Sequence, residues 1–463
     1  MRLLRRPEAW WALLIGGVAG ALAGFSPLAA VGVLFGGITV GLVLFGADVL
    51  LLGAVAVEPW TDALNFPTAT ISIPKILGFL AFAGWMFMVI TGRRNLRFTP
   101  QMGWAFAFLF VTLLSLMFAV DPGAGSTETI SYVLYIMFLA IFVQSMRTQT
   151  EIDRCLGIYA FAIAVGTFYG LATFTAGVAH LASGPIADPN DYASTLAGGL
   201  PLAAYFARHA SRGRWLWRIG ALLIVATLLA TLSRGAAVGA AVVLLWAFFS
   251  GRISFRVITS IVVALAIGGG VGYLLFKPVI DQHLQEKSAI ATTNVVSREA
   301  FWTAAIHMAE HYPILGVGPN GFTVLAQSYV QNDPIVLENP ETHNTYLQLL
   351  AEGGLLGLGL YLGFLISTAQ ALRTAKRLAL AAGDRRGVDL ADALMAGFLW
   401  TLVTMVFITR QLSIPLFLIS GIAGSINLAR AARSEDELYA TASPRPALVP
   451  TPPRPAIAPP SAG

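Results

Sequence analysis

Apolar runs of about twenty residues alternate with short polar breaks along nearly the whole chain, from "WALLIGGVAGALAGF" near the start to "SIPLFLISGIAGSINLA" near the end. Each run is long enough to cross roughly 30 Å of hydrocarbon as a helix, and a helix satisfies its own backbone polar groups there. The pattern predicts about fourteen spans, at roughly 10–25, 28–46, 48–60, 75–92, 102–120, 128–146, 153–176, 191–208, 215–232, 235–251, 256–276, 344–369, 390–409 and 411–429. The short alternating segments of a membrane barrel do not occur, so the expected fold is an all-α polytopic membrane protein, a bundle of about 12–14 transmembrane helices.

One break is much longer than the rest. Residues 277–342 form a single segment between two spans, and loops of that length are functional or disordered. Within it "SREAFWTAAIHMAEHY" places apolar Phe301, Trp302, Ala305 and Met308 at helical spacing, with Ser297 as the expected N-cap and Glu299 in the first turn. Pro313 should end that helix and "GVGPNGF" should turn the chain, which predicts a small ordered helical cap. The chain thus divides into an N-terminal bundle (1–276), the cap (277–342), C-terminal spans (343–430) and a Pro-, Ala- and Ser-rich tail (434–463) expected to be disordered.

Composition agrees: 56% of the residues are hydrophobic, 11% are charged, and the mean hydropathy is +0.73. The basic start resembles a secretory signal but lacks a small-residue cleavage site before the next apolar run, so it reads as a retained first span. Cys155 is the single cysteine and has no internal partner. The net charge of +5 matters through its distribution. Arg2, Arg5, Arg6, Arg93, Arg94, Arg97, Arg208, Arg212, Arg214, Arg373, Lys376, Arg377, Arg385, Arg386, Arg430 and Arg433 fall on one side, which makes that side, and both termini, cytoplasmic. Lys75, Arg234, Lys277, Lys287, Arg298 and Arg410 break the bias and call for another reason.

His343, in "ENPETHNTYLQLLAEGGLLG", sits where the outer segment meets the next span. With Thr342 as a possible cap it lies in or just before the first helical turn, where the positive end of the helix dipole keeps an imidazole neutral and able to accept a proton. At 100° per residue Leu347, Leu350, Gly354 and Gly357 share its stripe, and Glu352 lies opposite. Gly353 and Gly357 have the small-xxx-small spacing that lets a neighbouring helix approach. The bland reading is an interfacial histidine on a helix-packing face.

Arg234 and Arg410 occupy tight outer corners, and Arg298 begins the expected cap helix, where its charge would oppose the dipole. Singly, such arginines are usually snorkelling or lipid-phosphate contacts. Together their planar donor forks suit a pyrophosphate. Asp188, Asn190 and Asp191 lie in the outer loop "GPIADPNDYAST", where Asp191 caps the next helix or contacts substrate. His283, His307 and His311 lack metal-ligand spacing, so no metal is expected. Walker-type and G-x-S-x-G motifs are absent, and the basic clusters flank spans rather than forming a nucleic-acid patch.

His343-Asn344 followed after nine residues by Gly354, and after two more by Gly357, resembles the signature of the O-antigen ligase and polymerase superfamily. "SREAFWTAAIHMAEHYPILGVGPNGF", "TLSRG" and "ADPNDYA" are similar to its outer loop, its arginine-bearing corner and its polar loop. The resemblance implies a small helical periplasmic cap and a periplasmic active site on a bacterial inner-membrane protein. It implies transfer of a glycan from undecaprenyl pyrophosphate to an acceptor hydroxyl, with no cofactor and no nucleotide sugar. His343 would be the catalytic base; Arg234, Arg298 and, by topology alone, Arg410 would bind the pyrophosphate; Asn344, Asp188, Asn190, Asp191 and Glu352 would give support. Ligation to lipid A core is the preferred activity, with glycan polymerisation or protein O-glycosylation as alternatives. A lipid or polysaccharide transporter is the non-enzyme alternative, which would not need a helix-terminal base.

Overall fold

The computed structural model describes residues 36, 40, 46–60, 73–175, 185–186, 188–330 and 340–442, with the side chains of 279, 283, 286–296 and 432–442 excepted. All regular elements among them are helices. They are α1 (Ala47–Val57), α2 (Ile73–Ile90), α3 (Pro100–Leu116), α4 (Pro122–Ser145), α5 (Gln149–Thr175), α6 (Pro189–His209), α7 (Arg214–Ala230), α8 (Arg234–Phe249), α9 (Phe255–Leu275), α10 (Lys277–His311), α11 (Gly321–Tyr329), α12 (Thr345–Ala381), α13 (Arg385–Thr404) and α14 (Ile414–Ala442). Seven are long and apolar enough to cross a membrane, which makes the chain a multi-pass membrane protein.

Every predicted span from 48–60 onward falls on a helix, although α1, at eleven residues, is too short to cross. The predicted spans at 10–25 and 28–46 lie almost wholly outside the described residues. The last helix continues to Ala442, so the expected tail begins later than residue 434, and 443–463 lie outside the description.

Local chemistry sets several helix starts. Thr99, Asp121 and Asp188 each precede a proline at the first helical position, and each side chain accepts backbone N–H groups of the first turn. A proline there gives up an N–H that the helix could not have used. The core between the helices is aromatic: Phe108, Tyr132, Tyr361, Phe364, Phe417 and Tyr135 form a run of ring contacts across α3, α4, α12 and α14. Gly239 lets α8 lie against Trp400 of α13, where a Cβ would collide with the indole. By contrast α9 has no buried residue and lies on the periphery.

Among the described residues, the order of the helices puts the ends that carry Arg94, Arg252, Lys376, Arg386 and Arg430 away from the cap. There they are tied down by Arg94–Asp48, Arg252–Asp392, Lys376–Asp392, Arg386–Asp153 and Arg430–Asp384 ion pairs of 2.6–3.1 Å. At the cap end, Lys75 Nζ donates to Ser131 Oγ (3.0 Å) and Arg410 donates to the Asp191 carbonyl.

The cap differs from its prediction in one respect. Helix α10 runs unbroken from Lys277 to His311, so Ser297 is not an N-cap and Arg298 sits mid-helix, away from a helix N-terminus. The amphipathic pattern around Phe301 marks where this long helix gains a core rather than where it begins. Phe301, Ala304, Ala305 and Met308 bury against Val317, Phe322 and Ala326. Pro313 follows the helix end as expected, and the turn uses positive φ at Gly316, Gly318 and Asn320 before α11.

Candidate functional site

The site is assembled on a break in α12. Gly354 has φ 62 and ψ −166, a conformation open essentially to glycine alone. The break frees two carbonyls and two N–H groups, and the cap turn takes up all four. Val317 and Gly318 donate to the Ala351 and Glu352 carbonyls (2.9 and 3.1 Å), and Leu355 and Leu356 donate to the Pro313 and Ile314 carbonyls (2.8 and 3.3 Å). The Pro-x-x-Gly-x-Gly run is therefore a clamp that docks the cap onto a broken membrane helix.

This corrects the reading of the three glycines as a helix-packing face. A Cβ at Gly353 or Gly357 would meet nothing within 4 Å, and one at Gly354 would strike the backbone of Ile314 and Gly316. The expected stripe from His343 to Gly357 is interrupted for the same reason. Gly354→Ala is expected to destabilise the protein by about 1–3 kcal/mol from backbone strain alone, with the 313–322 turn losing hydrogen-exchange protection first. An unchanged melting temperature and unchanged protection would contradict the clamp.

Glu352 is buried beside this clamp. Its carboxylate accepts Gln348 Nε2 (2.7 Å) and faces the backbone N–H groups of Asn320 and Phe322 at the start of α11. It is thus a structural partner of the cap. Gln348 in turn accepts the Thr342 N–H on Oε1 (3.2 Å), which links cap packing to the residue before His343.

His343 itself has φ 48, a left-handed conformation that histidine adopts more readily than most side chains but that must still be held in place. Its neighbours hold it. Trp302 Nε1 donates to the Thr342 carbonyl (2.8 Å), Thr342 Oγ1 donates to the Asn344 carbonyl (2.7 Å), and the Thr345 N–H donates to the Met405 and Ile408 carbonyls (2.8 and 3.1 Å). The N-cap of α12 is Asn344, whose Oδ1 accepts Tyr346 and Leu347 N–H groups, not Thr342. Asn344 thus starts the helix, and His343 is the last residue before it.

Around the imidazole the electrostatics are specific. Burial pulls the His343 pKa below its ordinary 6.5, the Arg298 charge pulls it further, and Asp188 acts the other way. Arg298 is itself pulled below the ordinary arginine value by burial, with Asp188 opposing and Arg234 reinforcing. The structure therefore gathers His343, Arg298, Asp188 and Arg234 into one electrostatic neighbourhood. Among the described residues neither Arg234 nor Arg298 is held by an ion pair, and Arg234 is exposed at the first residue of α8. The dipole penalty expected of Arg298 falls instead on Arg234, a cation at a helix N-terminus facing outward. The corner before it carries another left-handed residue, Leu232 (φ 50).

Arg410 stands apart. One of its guanidinium nitrogens, Nη1, donates to the Asp191 carbonyl, and its backbone N–H donates to Thr345 Oγ1 (2.8 Å). Asp188, rather than Asp191, caps α6, accepting the Asn190 and Asp191 N–H groups (2.7 and 3.0 Å). Glu341, not foreseen from the sequence, lies two residues before His343. More than a third of it is open, yet the protein around its carboxyl and the charges of Asp191, Glu128 and Asp188 push it up to about 7.

With this geometry in place, residues 219–362 match the family model described as O-antigen ligase. This segment is similar to the O-antigen ligase family. The match covers 144 of 463 residues (219 through 362), from within α7 to within α12. It includes Arg234, Arg298, Trp302, His343, the cap turn and the break at Gly354, and it excludes Asp188 and Arg410. No curated protein matches the chain. The family match supports a glycosyltransferase-type enzyme acting on lipid-linked glycans in a membrane.

Proposed function

We propose that the protein is an inverting, metal-independent glycosyltransferase. It would move a glycan from undecaprenyl pyrophosphate to an acceptor hydroxyl at the periplasmic face of the bacterial inner membrane, with lipid A core as the acceptor. The observation that carries this reading is His343, half-buried, held at a left-handed φ and pinned between two elements beside Arg298, which has no ion pair among the described residues. A histidine fixed so that it stays neutral beside a cation is arranged to take a proton rather than to hold a charge.

In the reaction the acceptor oxygen attacks the anomeric carbon and its proton passes to the His343 imidazole. The bond from that carbon to the phosphate oxygen breaks, and its electron pair leaves with undecaprenyl pyrophosphate. Arg298 and Arg234 stabilise the charge that develops on the phosphate, and Asp188 stabilises the imidazolium. Attack opposite the leaving group inverts the anomeric centre. Arg410 gives one guanidinium donor to the Asp191 carbonyl and would bring its remaining donors to the pyrophosphate as a third cation.

The test is transfer by the purified full-length protein, given undecaprenyl-pyrophosphate glycan and lipid A core, with and without a chelator. Ligated core is expected in both. Loss of product restored only by a divalent ion would contradict the arginine-based account, and longer lipid-linked glycan in place of ligated core would assign polymerisation. A glycan recovered on protein would assign protein O-glycosylation.

A further inference from the structure

A cavity of about 280 Å³ with a mostly polar lining is bounded in part by Glu341, two residues before His343, and neither Arg298 nor Arg234 lines it. It brings together Lys75, Glu128, Glu341, Gln348, Arg410 and Gln411, from elements spread over most of the chain. Several polar groups here already have partners: Gln348 is hydrogen-bonded at both ends of its amide, and Arg410 gives one guanidinium donor to the Asp191 carbonyl. Gln411 is different. It is more than nine-tenths buried, it lines the cavity, and its Oε1 has no hydrogen-bond partner. A buried acceptor left unsatisfied costs about 1–3 kcal/mol, which a donor placed in the cavity would recover.

The charges around that acceptor narrow the ligand. Glu128 and Glu341 repel a phosphate, and Lys75 and Arg410 repel a cation or an amine. Lys75 spends one of its three protons on Ser131 and can donate others, while Gln411 Oε1 and the carboxylates accept. A neutral ligand whose groups both donate and accept fits this mixture, and hydroxyl groups do both. The volume is at the small end of the roughly 300–1,000 Å³ typical of small-molecule sites, which suits one ring rather than a chain.

We infer that this cavity binds the terminal sugar ring of the acceptor glycan, with Gln411, Glu128 and Lys75 reading its hydroxyl groups. The inference rests on the transfer reading above, because in-line displacement needs the nucleophile opposite the leaving group. In that reading the arginine pair beside His343 holds the leaving group, and neither arginine lines the cavity. Glu341 and Gln348 connect the two, the first by its place two residues before His343 and the second by its bond to Thr342.

The experiment is saturation-transfer NMR on the full-length protein in lipid nanodiscs, without glycoside detergents. The probes are methyl glycosides of glucose, galactose and N-acetylglucosamine, with inorganic pyrophosphate, followed by phosphorus NMR line broadening because it has no carbon-bound protons, as the control for the arginine side. At least one glycoside is expected to bind wild type and to weaken roughly 10-fold in Gln411→Leu, the loss of one buried hydrogen bond. Lys75→Met, at the cavity edge, should weaken it as well, so the result does not depend on how the buried variant folds. Arg298→Ala should keep glycoside binding and lose pyrophosphate. No glycoside binding to wild type, or binding that Lys75→Met and Arg298→Ala leave equally intact, overturns the cavity assignment. Glycoside binding without pyrophosphate binding leaves the cavity assigned and defeats the transfer reading.

Discussion

His343→Ala is expected to slow glycan transfer by roughly 10²–10⁴-fold, the usual contribution of a positioned general base. The loss should fall on kcat, with the donor's KM nearly unchanged, because in the proposed mechanism the imidazole meets the reacting hydroxyl and not the pyrophosphate. Folding should survive. The left-handed residue is held by the backbone bonds of Thr342 and Thr345 and by the Asn344 cap, none of which uses the imidazole. Alanine is less tolerant of φ 48 than histidine, so His343→Asn, which accepts that region, separates strain from chemistry. Both variants should lose activity alike; recovery in His343→Asn alone would make the defect conformational.

Arg298→Ala should be nearly as severe, about 10²–10³-fold in kcat, if its guanidinium stabilises the departing phosphate. It carries a second signature with a definite sign. The Arg298 charge lowers the His343 pKa, so removing it should raise that pKa and move the acid limb of the rate profile to higher pH. Arg298→Lys keeps the charge and loses the fork. It should leave the limb in place while still losing rate. A variant that lost rate without moving the limb would place Arg298 away from the base, and a fully active one would remove it from the site.

The spans were legible because twenty apolar residues in a row have few alternatives in a membrane. Each predicted span within the described residues is a helix for that reason. The cap helix was legible as a helix but not in length, since nothing between Lys277 and Ser297 stops a helix that the tertiary core supports only from Phe301 onward. The break at Gly354 could not be read from "AEGGLLG", which suits an ordinary packed helix equally well. What decides it is hydrogen bonding from the 313–318 turn, some forty residues earlier.

The site was legible in the same uneven way. His343, Arg298 and Arg234 stood out because they sit at the outer ends of apolar segments, and the superfamily resemblance gave them roles. Glu341 was visible in the same short stretch but had no partner until α4 and α6 brought Glu128, Asp188 and Asp191 toward it. Lys75, Glu128 and Gln411 each look like a lone polar residue at a helix end, and only the folded bundle makes them one wall. Arg410 was placed by topology alone, and what the sequence did not show is that one of its guanidinium nitrogens donates to the Asp191 carbonyl.

The most direct measurement is the pH dependence of single-turnover transfer by wild type, compared with the residual activity of His343→Ala. Protonation of His343 should switch wild type off as pH falls, with an acid limb below pH 6.5, because burial and Arg298 both depress that pKa. The residual rate of the variant should lack this limb. A variant that kept the wild-type limb, or the wild-type rate, would show that another group takes the proton and that His343 is a packing residue at a helix start.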